Sequence, residues 1–311
     1  MKDTQAMKAQ TFGVEIEMNH ITRMDAAIIA AGFFGTNRYE DSHVRNGYAA
    51  WSAWDAQGRE WKFERDVSIS GPEAEKTEMV TPKLTYDDLE SLQELVRTLR
   101  KAGAVSNPSQ GCGVHIHIGA DGHTAKSLRN LANIMAAHEE LLIAAIRIDR
   151  YRIDNYCKTV NTRFLNALNQ KKPERIEDLA DIWYTETGNS YNRSYHYNNS
   201  RYHMLNLHAT FTKGTIEFRL FQFNNPGRNF KGGLHAGMLK SYIQLCLALS
   251  QAAKEAKSAS PKKNTTDNPK YAMRCWLLRL GFIGDEYKTA RDILTRNLAG
   301  DAAFRNGRPA A

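Results

Sequence analysis

The sequence predicts an α+β fold built on an antiparallel sheet, and three observations carry that expectation. Short stretches of apolar–polar alternation recur at 11–18, 61–69, 113–119 and 204–223. Successive side chains of a strand point to opposite faces, so such stretches read as half-buried strands. Longer stretches space their apolar residues three and four apart, the mark of amphipathic helices. Hairpins and helix pairs follow one another without regular strand–helix alternation, which disfavours a doubly wound parallel sheet.

Residues 11–18 place Phe12, Val14 and Ile16 on one face of a strand and Gly13, Glu15 and Glu17 on the other. A second strand is expected over 61–69, ending in a Gly71-Pro72 turn, and a short third over 77–80, closed by Thr81-Pro82. At 86–102, Leu89, Leu92, Val96 and Leu99 form an apolar stripe. Asp87 or Asp88 can cap that helix and Gly103 stops it. Residues 113–119 form a strand with Val114, Ile116 and Ile118 on one face and His115 and His117 on the other.

The longest helix is expected over 124–147, with Leu128, Leu131, Met135, Leu141 and Leu142 inward, and shorter ones over 161–170 and 174–183. The stretch 188–202, rich in Tyr, Asn, Ser and Arg, reads as a loop. Two strands, 204–211 and 215–223, make a hairpin through Lys213-Gly214, and Asn224-Asn225-Pro226-Gly227 ends the second. Residues 230–256 read as a helix, 257–270 as an exposed linker, and the remainder as a short helical appendage.

At 311 residues the chain can bury a substantial core. Its hydrophobic and charged fractions, 42% and 24%, are those of a soluble globular protein. No apolar run approaches the ~20 residues that span a bilayer, so no membrane role is expected. Residues 1–10 are polar and lack the apolar centre of a signal peptide, which points to the cytoplasm. Cys112, Cys157, Cys246 and Cys275 are widely spaced and read as reduced thiols. The net charge is +8, and from Lys254 onward 12 basic residues face 6 acidic ones. That balance suits nucleic acid, a phosphate-bearing cofactor or an acidic substrate, and equally a solvated surface.

Three strands each carry charged or imidazole groups at alternate positions: Glu15/Glu17, His115/His117 and Glu217/Arg219. Any one pair reads as a polar outer face. Taken together they lack the Lys, Thr and Gln mixture of a wet face, and gathered carboxylates repel unless a cation sits among them. Oxygen-rich donors with an occasional His suit Mg²⁺ or Mn²⁺. Glu78 and Asp66 each add a carboxylate at a strand end. No phosphate-binding glycine loop is present, so any nucleotide must be held by metal ions and arginines, with Arg201 and Arg219 as candidates. Arg219 shares a strand face with Glu217, so an ion pair within the sheet is the plain reading, and it does not exclude the phosphate role.

Phe12-Gly-Val-Glu-Ile-Glu17, Asp66-x-Ser68, Glu78-Met-Val-Thr-Pro82, Cys112-Gly-Val-His-Ile-His117 and Thr215-Ile-Glu-Phe-Arg219 occur in this order. In these five pieces the chain resembles the amidoligase family, similar in its core to glutamine synthetase and glutamate–cysteine ligase. The resemblance runs from about residue 11 to about 225. It implies a glutamine-synthetase-like curved antiparallel β-sheet with helices packed on its outer face. With 257–270 read as a linker, the expected division is an amidoligase-like catalytic domain over 1–256 and a basic linker with a short helical C-terminal extension over 257–311.

The resemblance also implies residue roles. Glu15, Glu17, Glu78, His115 and Glu217 look like metal ligands, and His117 like a residue near the nucleotide. Arg219 looks like a phosphate-binding arginine. Asp66 resembles a residue lining the amine or metal site, and Arg201, with Asn206 following, an arginine facing substrate or phosphate. The implied reaction uses ATP and Mg²⁺ or Mn²⁺ to turn a small-molecule or peptide carboxylate into an acyl phosphate, which an amine then attacks. The 188–202 loop reads as either a lid or an ordinary exposed loop.

Other readings stay open on the sequence. A guanidino-phosphotransferase would also use ATP and arginines, but without this Glu-x-Glu and His-x-His combination. His115 and His117 on one strand face can chelate zinc for a metal-dependent hydrolase. A basic nucleic-acid-binding protein without ATP turnover accounts for the tail and the Tyr/Arg/Asn loop. A hybrid joins these, the basic tail bringing the ligase to a nucleic acid or another anionic polymer.

Overall fold

A computed structural model of the chain describes residues 4–223, 233–263 and 265–305. The chain runs through α1 (Thr4–Lys8), β1 (Phe12–Met18), α2 (Arg23–Phe33), β2 (Tyr39–Asp41), α3 (His43–Asn46), β3 (Trp51–Trp54) and β4 (Glu60–Glu64). It continues with β5 (Thr77–Val80), α4 (Leu89–Lys101), β6 (Val114–Gly119) and the long α5 (Ala125–Ile146). Then come α6 (Arg150–Asn155), α7 (Thr162–Lys171), α8 (Ile176–Glu186), β7 (Leu205–Asn206), α9 (His208–Lys213) and β8 (Thr215–Phe221). Helices α10 (Ala236–Glu255), α11 (Pro269–Arg279) and α12 (Lys288–Thr295) follow. This is the expected α+β class with antiparallel pairing.

The described residues divide into two compact units, one within the segments Thr11–His117 and Phe221–Lys240, the other within Met1–Gln10, Ile118–Leu220 and Ser241–Ala311. In the first, the strands lie in the order β2-β3-β4-β5-β1-β6. Pairing is antiparallel from β2 through β3, β4 and β5 to β1. Alternation sorts the faces: Phe12, Val14 and Ile16 are buried with Trp61, Phe63 and Met79. Helix α2 packs on β3 and β4 and against α4. Its inward face is Ala26, Ala27, Ala30 and Ala31, small enough for close approach, and Thr22 caps it by accepting from the Asp25 N–H. Helix α4 buries the expected stripe plus Leu95, and Thr85 and Asp88 form a capping box ahead of it.

In the second unit, α5 packs against α7 and α12, α7 against α8, and α11 against α12. Thr124 and Asn161 cap α5 and α7 with their side chains. Strands β7 and β8 pair antiparallel, Leu205 opposite Phe218 and Asn206 opposite Glu217. Among the described residues no helix is long and apolar enough to cross a membrane. All four cysteines are free thiols.

Three expectations need correction. The strand expected over 61–69 ends at Glu64, because the Asp66 carboxylate accepts from the Ser68 N–H at 2.6 Å and turns the backbone out of the ladder. The strand expected over 204–211 stops at Asn206. There the Asn206 side chain accepts from the His208 N–H at 2.9 Å and starts α9, which Gly214 closes at φ 69°. A short helix, not a two-residue turn, therefore joins β7 to β8. The helix expected over 230–256 begins at Ala236; residues 230–232 and the Asn224–Gly227 turn lie outside the described residues.

Candidate active site

In the first unit, period-two alternation on β1 and β6 sends Glu15, Glu17, His115 and His117 to the face opposite the core. His115 Nδ1 lies 3.1 Å from Glu15 Oε2 and its Nε2 3.6 Å from Glu17 Oε1. His117 Nε2 lies 3.2 Å from Glu15 Oε1. Glu15 thus bridges both imidazoles. Glu17 is anchored differently, its Oε2 accepting from the Gly113 N–H at 2.5 Å.

Register brings the remaining carboxylates in. Glu78 on β5 faces Glu17 on β1 and, on its other side, Glu64 on β4. Three adjacent strands therefore carry a row of carboxylates, with Lys62 bonded to Glu64 at 2.8 Å at one end. Donor atoms of Glu15, Glu78 and His115 lie within 4.8 Å of one another, as do those of Glu17, Asp66 and Glu78. Glu78 belongs to both triads.

Asp66 arrives on a fixed loop. Ser70 N–H donates to the Gln110 carbonyl at 2.8 Å, and Asn19 Nδ2 to the Ser70 carbonyl at 3.2 Å. Gly111, at φ 84°, lies so close that a Cβ there would fall 2.2 Å from the Ser68 carbonyl oxygen.

The charges follow this layout. Burial works to raise the Glu15 pKa, but the charge of His117 and hydrogen bonds from His115 and His117 outweigh it and hold the carboxyl well below its usual range. Glu78 goes the other way: burial lifts it well above the usual range, and Glu15, Asp66, Glu17 and Glu64 add to the lift. A carboxylate row with too little positive charge beside it is a fit for divalent cations, and this oxygen-dominated donor set suits Mg²⁺ or Mn²⁺ better than zinc.

In the second unit, Glu217 and Arg219 form an ion pair at 2.5 Å and are each under 5% exposed. Asn206 Nδ2 donates to the other Glu217 oxygen at 2.6 Å. Arg152 donates to the Arg219 carbonyl at 3.1 Å. Arg201 lies farther out, its guanidinium 5.5 Å from the Tyr197 ring and 5.9 Å from Tyr202, whose ring Arg219 also approaches at 5.9 Å.

The 188–202 loop before β7 is tied inward. The Tyr195 carbonyl can only accept, so His208 Nε2 donates to it at 3.1 Å and His208 Nδ1 accepts from the Tyr184 hydroxyl at 2.6 Å. Burial keeps His208 below its usual pKa, consistent with that neutral tautomer.

The family model described as "Putative amidoligase enzyme" matches residues 8–250. The chain belongs to this amidoligase family. No curated protein sequence matches it. Among solved structures, the crystal structure of a bifunctional glutathione synthetase from Pasteurella multocida is similar at a TM-score of 0.44 and 13% identity. The match covers 94% of this chain and 47% of that one, so the chain spans about half the length of that protein.

In this amidoligase, Glu15, Glu17, Asp66, Glu78, His115 and His117 converge within one unit, and Glu217, Arg219 and Asn206 within the other. Arg201 stands beside aromatic rings and donates to the His196 carbonyl at 3.3 Å. Sequence reasoning missed Glu64 and the Gly113 N–H. The alternation Trp61/Phe63 against Lys62/Glu64 was the available signal for Glu64, since it puts that carboxylate on the outer face.

Proposed function

We propose that this amidoligase is an ATP- and divalent-metal-dependent ligase, joining a small-molecule or peptide carboxylate to an amine through an acyl phosphate on a glutamine-synthetase-like sheet. The observation that carries the reading is Glu78, shared by two donor triads and lifted in pKa by the carboxylates around it. Glu15, Glu17, Glu78, Asp66 and His115 are the residues that would hold divalent cations. Such cations, when bound, supply charge neutralisation to a transferring phosphoryl group.

The chain's own groups take the remaining tasks. Arg219, preset by Glu217 and the Arg152–carbonyl bond, offers a guanidinium to developing negative charge. Arg201 presents a second, nearer solvent, for a carboxylate or phosphate oxygen. Asp66 holds an incoming ammonium or accepts its proton. His117, bonded to Glu15, would lie beside the nucleotide.

Calorimetric titration of ATP with Mg²⁺ or Mn²⁺ into wild type, Glu17→Ala and Arg219→Lys tests this. Wild-type binding that requires the metal, lost in the first variant and weakened in the second, supports the ligase. Wild type that binds no nucleotide with any metal overturns it.

A further inference from the structure

Residues after 250 fall outside the family match, yet within their unit they form a built structure. Asn130 Nδ2 donates to the Ala256 carbonyl at 2.8 Å and Asn133 Nδ2 to the Ala259 carbonyl at 3.0 Å, laying the stretch after α10 along α5. Lys263 then pairs with Glu140 at 2.7 Å and Glu139 at 3.5 Å. Asn268 caps α11 by accepting from the Tyr271 N–H, and its Nδ2 donates to the carbonyls of Asp301, Phe304 and Arg305. Gly300, at φ 98°, sits so close that a Cβ there would fall 2.2 Å from Asn268 Oδ1. This turn delivers Arg305 to a cavity of about 350 Å³ between α5 and α11.

The cavity combines flat rings with cations. His138 and Trp276 stack at 3.9 Å and 8°, and Tyr271 adds a third ring. Burial pushes the His138 imidazole down, the hydrogen bond to the Ile134 carbonyl works against that, and the charge of Arg279 adds to the lowering. Lys263, Arg279 and Arg305 line the space, and the carboxylate among them, Glu140, is already bonded to Lys263. Among the described residues the guanidiniums of Arg279 and Arg305 meet no acceptor. A neighbouring cleft of about 590 Å³ shares Thr265, Thr266 and Arg305, leaving room for a polar group beside that arginine.

We propose that this cavity is a second site, distinct from the ligase centre, that binds a mononucleotide with its phosphate on Arg279 and Arg305 and its base against the ring wall. Guanidinium forks match phosphate oxygens. An aromatic face takes up any base by stacking; His138 and Trp276 already stack on one another, so among the cavity's rings Tyr271 presents the face not covered by another ring. The volume lies at the lower end of the range of small-ligand pockets, which favours one nucleotide over a strand.

Cys275 lines the same cavity and is half-buried, whereas Cys112, Cys157 and Cys246 are buried, so its alkylation reports on this site alone. The full chain is treated with iodoacetamide in EDTA with and without AMP, and Cys275 modification is followed by peptide mass spectrometry. AMP is expected to slow it in wild type and in Glu17→Ala alike, which separates this site from the ligase reading. Arg279→Ala with Arg305→Ala, both exposed positions, should raise the AMP concentration needed roughly tenfold or more with an unchanged Tm. Failure of AMP to protect, equal protection in the double variant, or inorganic phosphate protecting as well as AMP overturns the site. Stronger protection by single-stranded RNA overturns it too, making these cations part of a polymer track.

Discussion

Glu78 faces Glu17 directly across the β5–β1 pairing while Glu64 faces it from β4. Like charges placed opposite one another in a sheet are destabilising, so this arrangement costs the metal-free protein stability. It persists because the strands' other face is committed to the core: a one-residue slip would expose Phe12, Val14 and Ile16.

Glu78→Gln should therefore stabilise the metal-free protein and weaken its cation binding. The Glu78 pKa is raised in the folded state, so its contribution is fully present below the unfolded value and is lost as pH rises through the folded one. At neutral pH in EDTA the variant should melt higher by roughly 1–2 °C, about what 1 kcal/mol gives a chain of this size. Adding Mg²⁺ or Mn²⁺ should raise the wild-type Tm more than that of the variant. Equal melting in EDTA together with equal metal shifts would remove Glu78 from any cation site.

Arg219 and Glu217 are buried together, and removing one member takes away the other's bonded opposite charge. Arg219→Ala should cost about 3–5 kcal/mol in denaturant unfolding. The pair replacement Glu217→Gln with Arg219→Met should recover most of that stability while leaving metal-dependent nucleotide binding lost. If the double variant regains nucleotide binding along with stability, the pair is structural and Arg219 has no part in holding phosphate.

Much of this was readable locally. Strands β1 and β6 and the stripe of α4 announce themselves by period, and Thr124 and Asn161 mark helix starts with their own side chains. Residues 23–54 did not stand out, because α2 buries a face of alanines, which carry little hydrophobic contrast, and β2 is exposed throughout. The first residues of α9 alternate acceptably for a strand, which is why the sequence pattern extends β7 to 211. The Asn206 side-chain bond and the buried contact of His208 with Tyr184 decide for the helix, and both depend on tertiary neighbours. Glu64 joins the site only through cross-strand register, which a single strand's pattern does not carry.

Gly111 offers a way to disturb the site without touching a donor. A methyl group there collides with the Ser68 backbone oxygen, and the positive φ adds strain. Gly111→Ala should shift the 66–70 loop, lower stability by about 1–3 kcal/mol and weaken cation binding through misplaced Asp66. Gly35→Ala, at a positive φ with nothing nearby, serves as the control for strain alone. Equal metal affinity in the two variants would mean that Asp66 does not take part in binding.

His123 should set an acid limit on the second unit. Its ring nitrogens lie 2.9 Å from Ser127 Oγ and 2.8 Å from Ser250 Oγ, and burial with the nearby Lys254 charge lowers its pKa from 6.5 to about 3. The unfolded chain then binds the proton more readily than the folded one between those values. Stability is complete above about pH 6.5 and falls as pH drops toward 3, by at most ~1.4 kcal/mol per pH unit from this group. His123→Gln lacks the proton-binding site, so its stability should fall less steeply over the same window. Denaturant unfolding of both proteins across that range reads the difference directly. Parallel curves would show that His123 is accommodated as an imidazolium, with Ser127 and Ser250 turning their oxygens toward it.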